Sequence, residues 1–296
     1  IQSFDDETLK KVARYNKFGS SQELQEKISK ALGILPIFSI DLIFNLPGQS
    51  EKQLLNDLEI AKNLAPQQIT TYPLMKSNLT KDNIAKSLGV SIEDNEFAYY
   101  QIIREFFKDY TQNNGWSFSL EKNKLNDEYV SSHHEYLGVG SGAFSFLDGE
   151  LLINAFNLND YAKFIQEKQN ANIAKACFDK KEIIKYVFLT EIFSGKIEID
   201  KFNKTLNCNL EKELFIELLG LKTSGAIIKD QNTLIATKFG QYLFVVLMKD
   251  FYTGMDLVRA VFRDDKRLKN KDYIDIMKEN IDPLNSTSME FKAETN

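Results

Sequence analysis

Cysteine and histidine are scarce in this chain, with two of each among 296 residues. Cys177 and Cys208 stand far apart, so the chain is no disulfide scaffold, and a reducing cytoplasm is its simplest home. His133 and His134 are adjacent, and neighbours on an extended chain point to opposite sides and do not easily share one metal ion. With no C-x-x-C and no H-x-x-x-H, no metal site is expected within these residues. Long apolar runs are missing too. The longest, Gly33–Leu46, is interrupted by Pro36, Asp41 and Asn45, short of the roughly 18–20 residues that cross a bilayer, so no membrane span is expected. Basic charge is not in excess: 37 Lys and Arg stand against 42 Asp and Glu, a net charge of −5, which argues against a broad nucleic-acid footprint. No repeat of solenoid period is present. What remains is the 43% hydrophobic and 27% charged composition of a globular protein, long enough for one large domain or a domain with a smaller companion.

Asp5–Arg14 places acidic residues early and basic residues late around Leu9 and Val12, the charge order of a short helix. SSQELQEKISKAL repeats the pattern with Leu24, Ile28 and Leu32, and Gly33 stops it. GILPIFSIDLIF reads as a continuous apolar strand of the kind buried on both faces. NLPGQS is its turn, EKQLLNDLEIAKNL an amphipathic helix broken by Pro66, and ITTYPLM the next strand. That succession is a βαβ unit, so the front of the chain is expected to be α/β with parallel strands. A helix over Glu93–Tyr110, a strand at NNGWSFSLE and the glycine-rich EYLGVGSGAFSFLDG follow, then a helix capped through Asn159 or Asp160. From about Phe178 three helical stretches precede IIKDQNTLIATKFGQ, which reads as a two-stranded wing leading into a helix. The expected division is 1–168, an α/β domain; 176–255, a small helical, winged-helix-like domain; and 256–296, a polar extension.

Asp41 stands inside an apolar strand, where an unpaired buried carboxylate costs several kcal/mol. It either caps the following turn or faces a ligand at the strand's C-terminal end, where parallel α/β folds bind them. Gly138, Gly140 and Gly142 let a backbone approach another group closely and expose its N–H donors; the alternative is a tight strand edge packed on its neighbours. His133 and His134 are either catalytic or part of a surface loop. Trp116 reads as core, and Tyr72 and Met75 lie on or just beyond the second strand, in the core or beside Asp41. The winged-helix-like helices carry Glu and Asp as freely as Lys, so no nucleic-acid partner is expected.

Three stretches carry a family resemblance in order and rough spacing: QSFDDETLKKVAR, SIDLIFNLPGQSEKQLLNDLEIAKNLAPQQITTYPL and YLGVGSGAFSFLDGELLINAFNLNDYAKFI. Together they resemble the radical S-adenosylmethionine enzymes of the oxygen-independent coproporphyrinogen III oxidase type, and Phe178–Tyr252 resembles that family's C-terminal domain. The resemblance implies the C-terminal part of a partial (β/α)6 radical-SAM barrel followed by a small winged-helix-like domain. It implies S-adenosylmethionine and a 4Fe-4S cluster as cofactors, the cluster's C-x-x-x-C-x-x-C loop belonging to an earlier part of the barrel that precedes QSF. IQSFDD is accordingly expected to be the broken edge of a longer barrel. Residue by residue, Gln2 matches an adenosylmethionine-binding Gln, Arg14 twelve positions later its partner, and Asp41 the Asp near the cofactor ribose. Met75 falls at a backbone contact to the adenine region, and Val139 where a late segment closes over the cofactor.

The activity implied is reductive cleavage of S-adenosylmethionine to a 5′-deoxyadenosyl radical, hydrogen abstraction from a porphyrinogen propionate and loss of carbon dioxide, in haem (porphyrin) biosynthesis. The implied partners are a tetrapyrrole substrate and an external electron donor such as flavodoxin or ferredoxin. Two further readings share the scaffold: a haem-degrading radical methyltransferase, and a haem-binding chaperone or pseudo-enzyme without oxidase activity.

Overall fold

The computed structural model describes residues 1–35, 38–76, 81–89, 94–120 and 134–262. Packing groups them into two compact units: Ile1–Asp127 with Gln241–Lys249, and Glu128–Gly240 with Asp250–Asn296.

The first unit opens with three helices, α1 (Asp6–Lys11), α2 (Tyr15–Phe18) and α3 (Ser21–Leu32). Strand β1 (Ser39–Phe44) follows, then α4 (Glu51–Leu64) and β2 (Gln68–Pro73). Helix α4 starts where it does because Ser50 and Gln53 form a reciprocal capping box, and it ends at Ala65 in the left-handed region just before Pro66. β1 and β2 pair in parallel, so the expected βαβ unit is present. Past it the expectation of parallel strands fails. After α5 (Lys81–Leu88) and α6 (Glu96–Phe106), β3 (Thr111–Gln112) and β4 (Ser117–Ser119) join by a short turn, which forces an antiparallel pair. β4 then adds antiparallel to β2, giving the sheet order β1-β2-β4-β3.

This sheet has two unlike faces. Register places Ile40, Ile69 and Phe118 side by side, and Phe107 stacks on Phe118 at 5.2 Å between ring centres. The opposite face carries Ser39–Gln68–Ser119 and Asp41–Thr70–Ser117. Hydrogen bonds link this polar face, from Ser119 Oγ to Asn113 (3.1 Å), Asn113 Nδ2 to Gln68 (3.3 Å) and Gln68 Nε2 to Thr70 (3.2 Å). β1 is therefore not a strand buried on both faces: polar Ser39 and Asp41 alternate with buried Ile40, Leu42 and Phe44. Trp116 is core, 1% exposed, as its sequence context indicated.

The second unit contains the antiparallel sheet β5 (Phe144–Leu147), β6 (Glu150–Asn154) and β7 (Asn172–Cys177), with α7 (Leu158–Lys168) between β6 and β7. Asn157 caps α7, not Asn159 or Asp160, because its side chain accepts from both of their N–H groups. Helix α8 (Lys180–Ile192) leads to β8 (Lys196–Glu198), α9 (Ile199–Leu206), α10 (Leu210–Glu213) and α11 (Phe215–Thr223). β9 (Ile227–Asp230) and β10 (Thr233–Ala236) form the expected wing, and β8, unforeseen, pairs with β10 in the order β8-β10-β9. The long helix α12 (Lys238–Phe262) closes the described chain. Its Asp256–Phe262, assigned by composition to a polar extension, continue the helix, and Met255, Val258 and Phe262 pack on Phe144, Ile153 and Ala174. The rest of the expected extension lies outside the described residues.

Candidate functional site

Arg14 owes its position to how α1 ends. Ala13 takes the left-handed conformation at φ 56°, its N–H donates to Lys10 O, and Arg14 N–H donates to Leu9 O at 2.8 Å. These paired bonds are a Schellman closure, which turns the chain sharply and seats the guanidinium 5.5 Å from the Phe18 ring centre. Gln2 is held from the other direction: its carbonyl accepts from Ile43 N–H at 2.8 Å, so Gln2 runs beside β1. Gln2 and Arg14 together line a cavity of about 240 Å³, completed mainly by Leu9, Phe18, Ile28 and Ile40. The two residues that the family resemblance pairs are therefore both among the lining of one cavity.

Asp41 lies elsewhere. Its side chain is exposed, on the polar face of β1, and it is not among the residues lining the cavity. The burial cost that singled it out therefore does not arise. Met75 is half-buried, two residues past β2, where Leu74 N–H donates to Phe44 O at 2.9 Å across the strand ends.

The turn after β1 is more closely fastened than its sequence indicated. Asn45, left-handed at φ 60°, donates its side-chain amide to Asp94 at 2.9 Å, and Tyr99 O–H donates to Gln49 O at 2.6 Å. The Glu96 N–H and then the Asn45 amide hold the Asp94 carboxyl below the usual carboxylate range.

Sequence reasoning missed Asp57. On α4 it shares the buried stripe of Leu54, Leu58 and Ala61, 2% exposed. One oxygen accepts from Ser3 O–H and the other from Phe4 N–H, both at 2.7 Å. Burial pushes its carboxyl up to about 6, against the pull of those two hydrogen bonds. An Asp inside an otherwise apolar helical stripe was the available signal.

In the second unit, Val139 stands in a loop pinned from behind. Asn154, buried, donates its side-chain amide to Gly138 O (3.3 Å) and Gly140 O (3.0 Å), while Gly138 N–H donates to Ser145 Oγ at 3.0 Å. A side chain at Gly138 would strike the Phe144 carbonyl, and Gly140 and Gly142 take φ of 103° and 68°. Val139 itself is 82% exposed. His134 Nε2 lies 3.5 Å from Glu191 Oε2 and borders a cleft of about 550 Å³ with Phe146, Ile183 and Lys201. His133 lies outside the described residues.

Four thiolates hold a 4Fe-4S cluster in most proteins. Here Cys177 is exposed, Cys208 is half-buried, and among the described residues no group of three or more His, Cys, Asp or Glu could hold a metal. The residues present do not fit a cluster.

The chain has the fold of a radical SAM enzyme of the coproporphyrinogen oxidase kind. It superposes on the solved coproporphyrinogen III oxidase (HemN) from Escherichia coli with a TM-score of 0.65 over 85% of this chain and 63% of that one, at 16% identity. In sequence it is similar to proteins named heme chaperone HemW. The one from Lactococcus lactis is 26% identical over 235 residues, covering 75% of this chain and 60% of that protein. The one from Bacillus subtilis is 28% identical over 180 residues, 57% of this chain and 45% of that protein. The chain thus spans about half to three-fifths of the curated relatives it matches. No known family profile matches it.

Proposed function

We propose that this chain is the adenosylmethionine-binding and haem-handling portion of a haem chaperone built on the coproporphyrinogen-oxidase scaffold. The observation that carries this reading is a contrast: the oxidase likeness is one of fold at 16% identity, whereas the similar sequences are named heme chaperones. The oxidative decarboxylation read first from the sequence gives way to this alternative.

Gln2 and Arg14 hold the amino-acid end of S-adenosylmethionine. A guanidinium offers a carboxylate a two-pronged donor, and the Gln amide both donates and accepts. The apolar walls supplied by Leu9, Phe18 and Ile40 exclude water, which strengthens those contacts. Asp41, Met75 and Val139 are assigned to the same ligand on the strength of the resemblance alone. When bound, S-adenosylmethionine supplies a sulfonium; a 4Fe-4S cluster would have to be held by residues other than those described.

Haem titration of the chain, and of a longer protein containing it, tests the proposal. A shifted Soret band with saturable 1:1 binding, and coproporphyrinogen left unchanged under anaerobic reducing conditions with S-adenosylmethionine, is the expected result. Turnover of coproporphyrinogen by the longer protein would restore the oxidase reading.

A further inference from the structure

A carboxylate on the buried stripe of α4 is an expensive choice. Leu at that position would extend the run of Leu54, Leu58 and Ala61 with no desolvation cost. Asp57 is buried there without a cation among its hydrogen-bond partners; it takes Ser3 O–H on one oxygen and Phe4 N–H on the other, each at 2.7 Å. A carboxylate is the group that accepts two such bonds at once in a fork. Ser3 Oγ passes the constraint on, accepting from Asp5 N–H at 3.0 Å. With Gln2 O held by Ile43 N–H at 2.8 Å, the main chain from residue 2 to residue 5 is fixed at three points.

Both ends of this fastened segment lead to the cavity. Gln2 enters it directly. Asp5 caps α1 by accepting from Thr8 N–H at 2.8 Å, and the closure at the far end of α1 delivers Arg14. We propose that Asp57 is a positioning residue: from α4 it fixes the Ser3–Phe4 main chain and, through it, the placement of Gln2 relative to Arg14. The inference rests on the reading of that cavity as the site for the amino-acid end of S-adenosylmethionine.

Asp57→Asn tests it in the full chain. The amide keeps the acceptor for Phe4 N–H but offers Ser3 a donor in place of an acceptor, leaving the hydroxyl proton without its partner. The unliganded variant should melt close to the wild type, yet its Gln2 side-chain amide resonances in a 15N-correlated spectrum should move or broaden. Its affinity for S-adenosylmethionine, measured by calorimetry, should fall about tenfold or more. Ser3→Ala, which leaves the bond from Phe4 to Asp57 in place, should show the same signature more weakly, and serves if Asp57→Asn does not fold. Gln2 resonances unchanged in a folded variant would overturn the inference, as would unchanged affinity. If the wild type itself binds no S-adenosylmethionine, the ligand reading falls, and the Gln2 resonances of the unliganded proteins alone decide the role of Asp57.

Discussion

The two units handle polarity in opposite ways. Among the described residues, the first unit buries Asp57, Glu96, Gln68, Thr70, Asn114, Ser117 and Ser119, whereas buried polar side chains in the second are Ser145, Asn154 and Thr190. Exposed large apolar side chains reverse the balance: the second unit shows Val139, Phe215, Ile216, Leu219 and Ile228 to solvent. Burying polar groups costs stability and returns fixed geometry. The contrast teaches that the first unit is built to hold side chains in place, and that its stability depends on keeping every buried charge accompanied.

The sharpest way to break the contrast is to remove one companion. Glu96, 4% exposed, accepts from Lys249 Nζ on both oxygens at 2.9 and 2.8 Å and from Tyr242 O–H at 3.2 Å. Lys249→Met should destabilise the protein by about 3 kcal/mol, because the carboxylate stays buried with the Tyr242 hydroxyl as its hydrogen-bond donor. Adding Glu96→Gln should recover most of that loss. Urea unfolding of both variants measures it, and a single variant costing under about 1 kcal/mol would mean that Glu96 is solvated.

Asp57 gives the next effect, and its sign is opposite to that of most carboxylates. Its folded value of about 6 lies above the ordinary 3.8, so between those values the folded state keeps a proton that the unfolded state has released. Its contribution is therefore full below about pH 4 and lost as pH rises through about 6, up to about 3 kcal/mol in all. Asp5 and Asp94, whose carboxyls are lowered, work the other way. The difference in unfolding free energy between the wild type and Asp57→Asn, followed from pH 4 to pH 8, isolates the term. A flat difference would show that folding does not raise the Asp57 carboxyl above its ordinary range.

In the second unit the comparable test involves an amide. Asn154→Leu removes the donor from the Gly138 and Gly140 carbonyls, which should cost about 2 kcal/mol, with proteolytic cleavage appearing first in the Leu137–Ala143 loop. Equal loss of protection throughout the chain would show that Asn154 supports the unit as a whole.

What the sequence made legible follows the same divide. The βαβ unit, the wing and the core role of Trp116 could be read because apolar periodicity and turn residues report which face is buried. The antiparallel addition of β4 could not, since three residues have no period, and neither could β8, a strand of the same length. At the site, the pairing of Gln2 with Arg14 came from resemblance alone; both residues line one cavity, and their role toward a ligand is the proposal made above. Asp41 was singled out by a burial that the two-faced sheet does not impose, and Asp57 was overlooked although its carboxylate is buried. Local hydropathy places a charge on a strand or a helix; it does not say which side of that element is covered.

The smallest effect tests the other half of the contrast. Ile216 on α11 is 79% exposed, beside Phe215 and Leu219 on the same short helix. A side chain that leaves water on neither folding nor unfolding contributes nothing by burial, so Ile216→Ser should move the unfolding free energy by no more than about 0.5 kcal/mol. Leu218, on the same helix but buried, should cost about 3 kcal/mol when cut to Ala, through lost transfer energy and the cavity left behind. The pair forms an internal standard, since helix propensity changes little in either variant. If Ile216→Ser proved as costly as Leu218→Ala, the outward face of α11 would be covered in solution, and the second unit would bury its apolar surface after all.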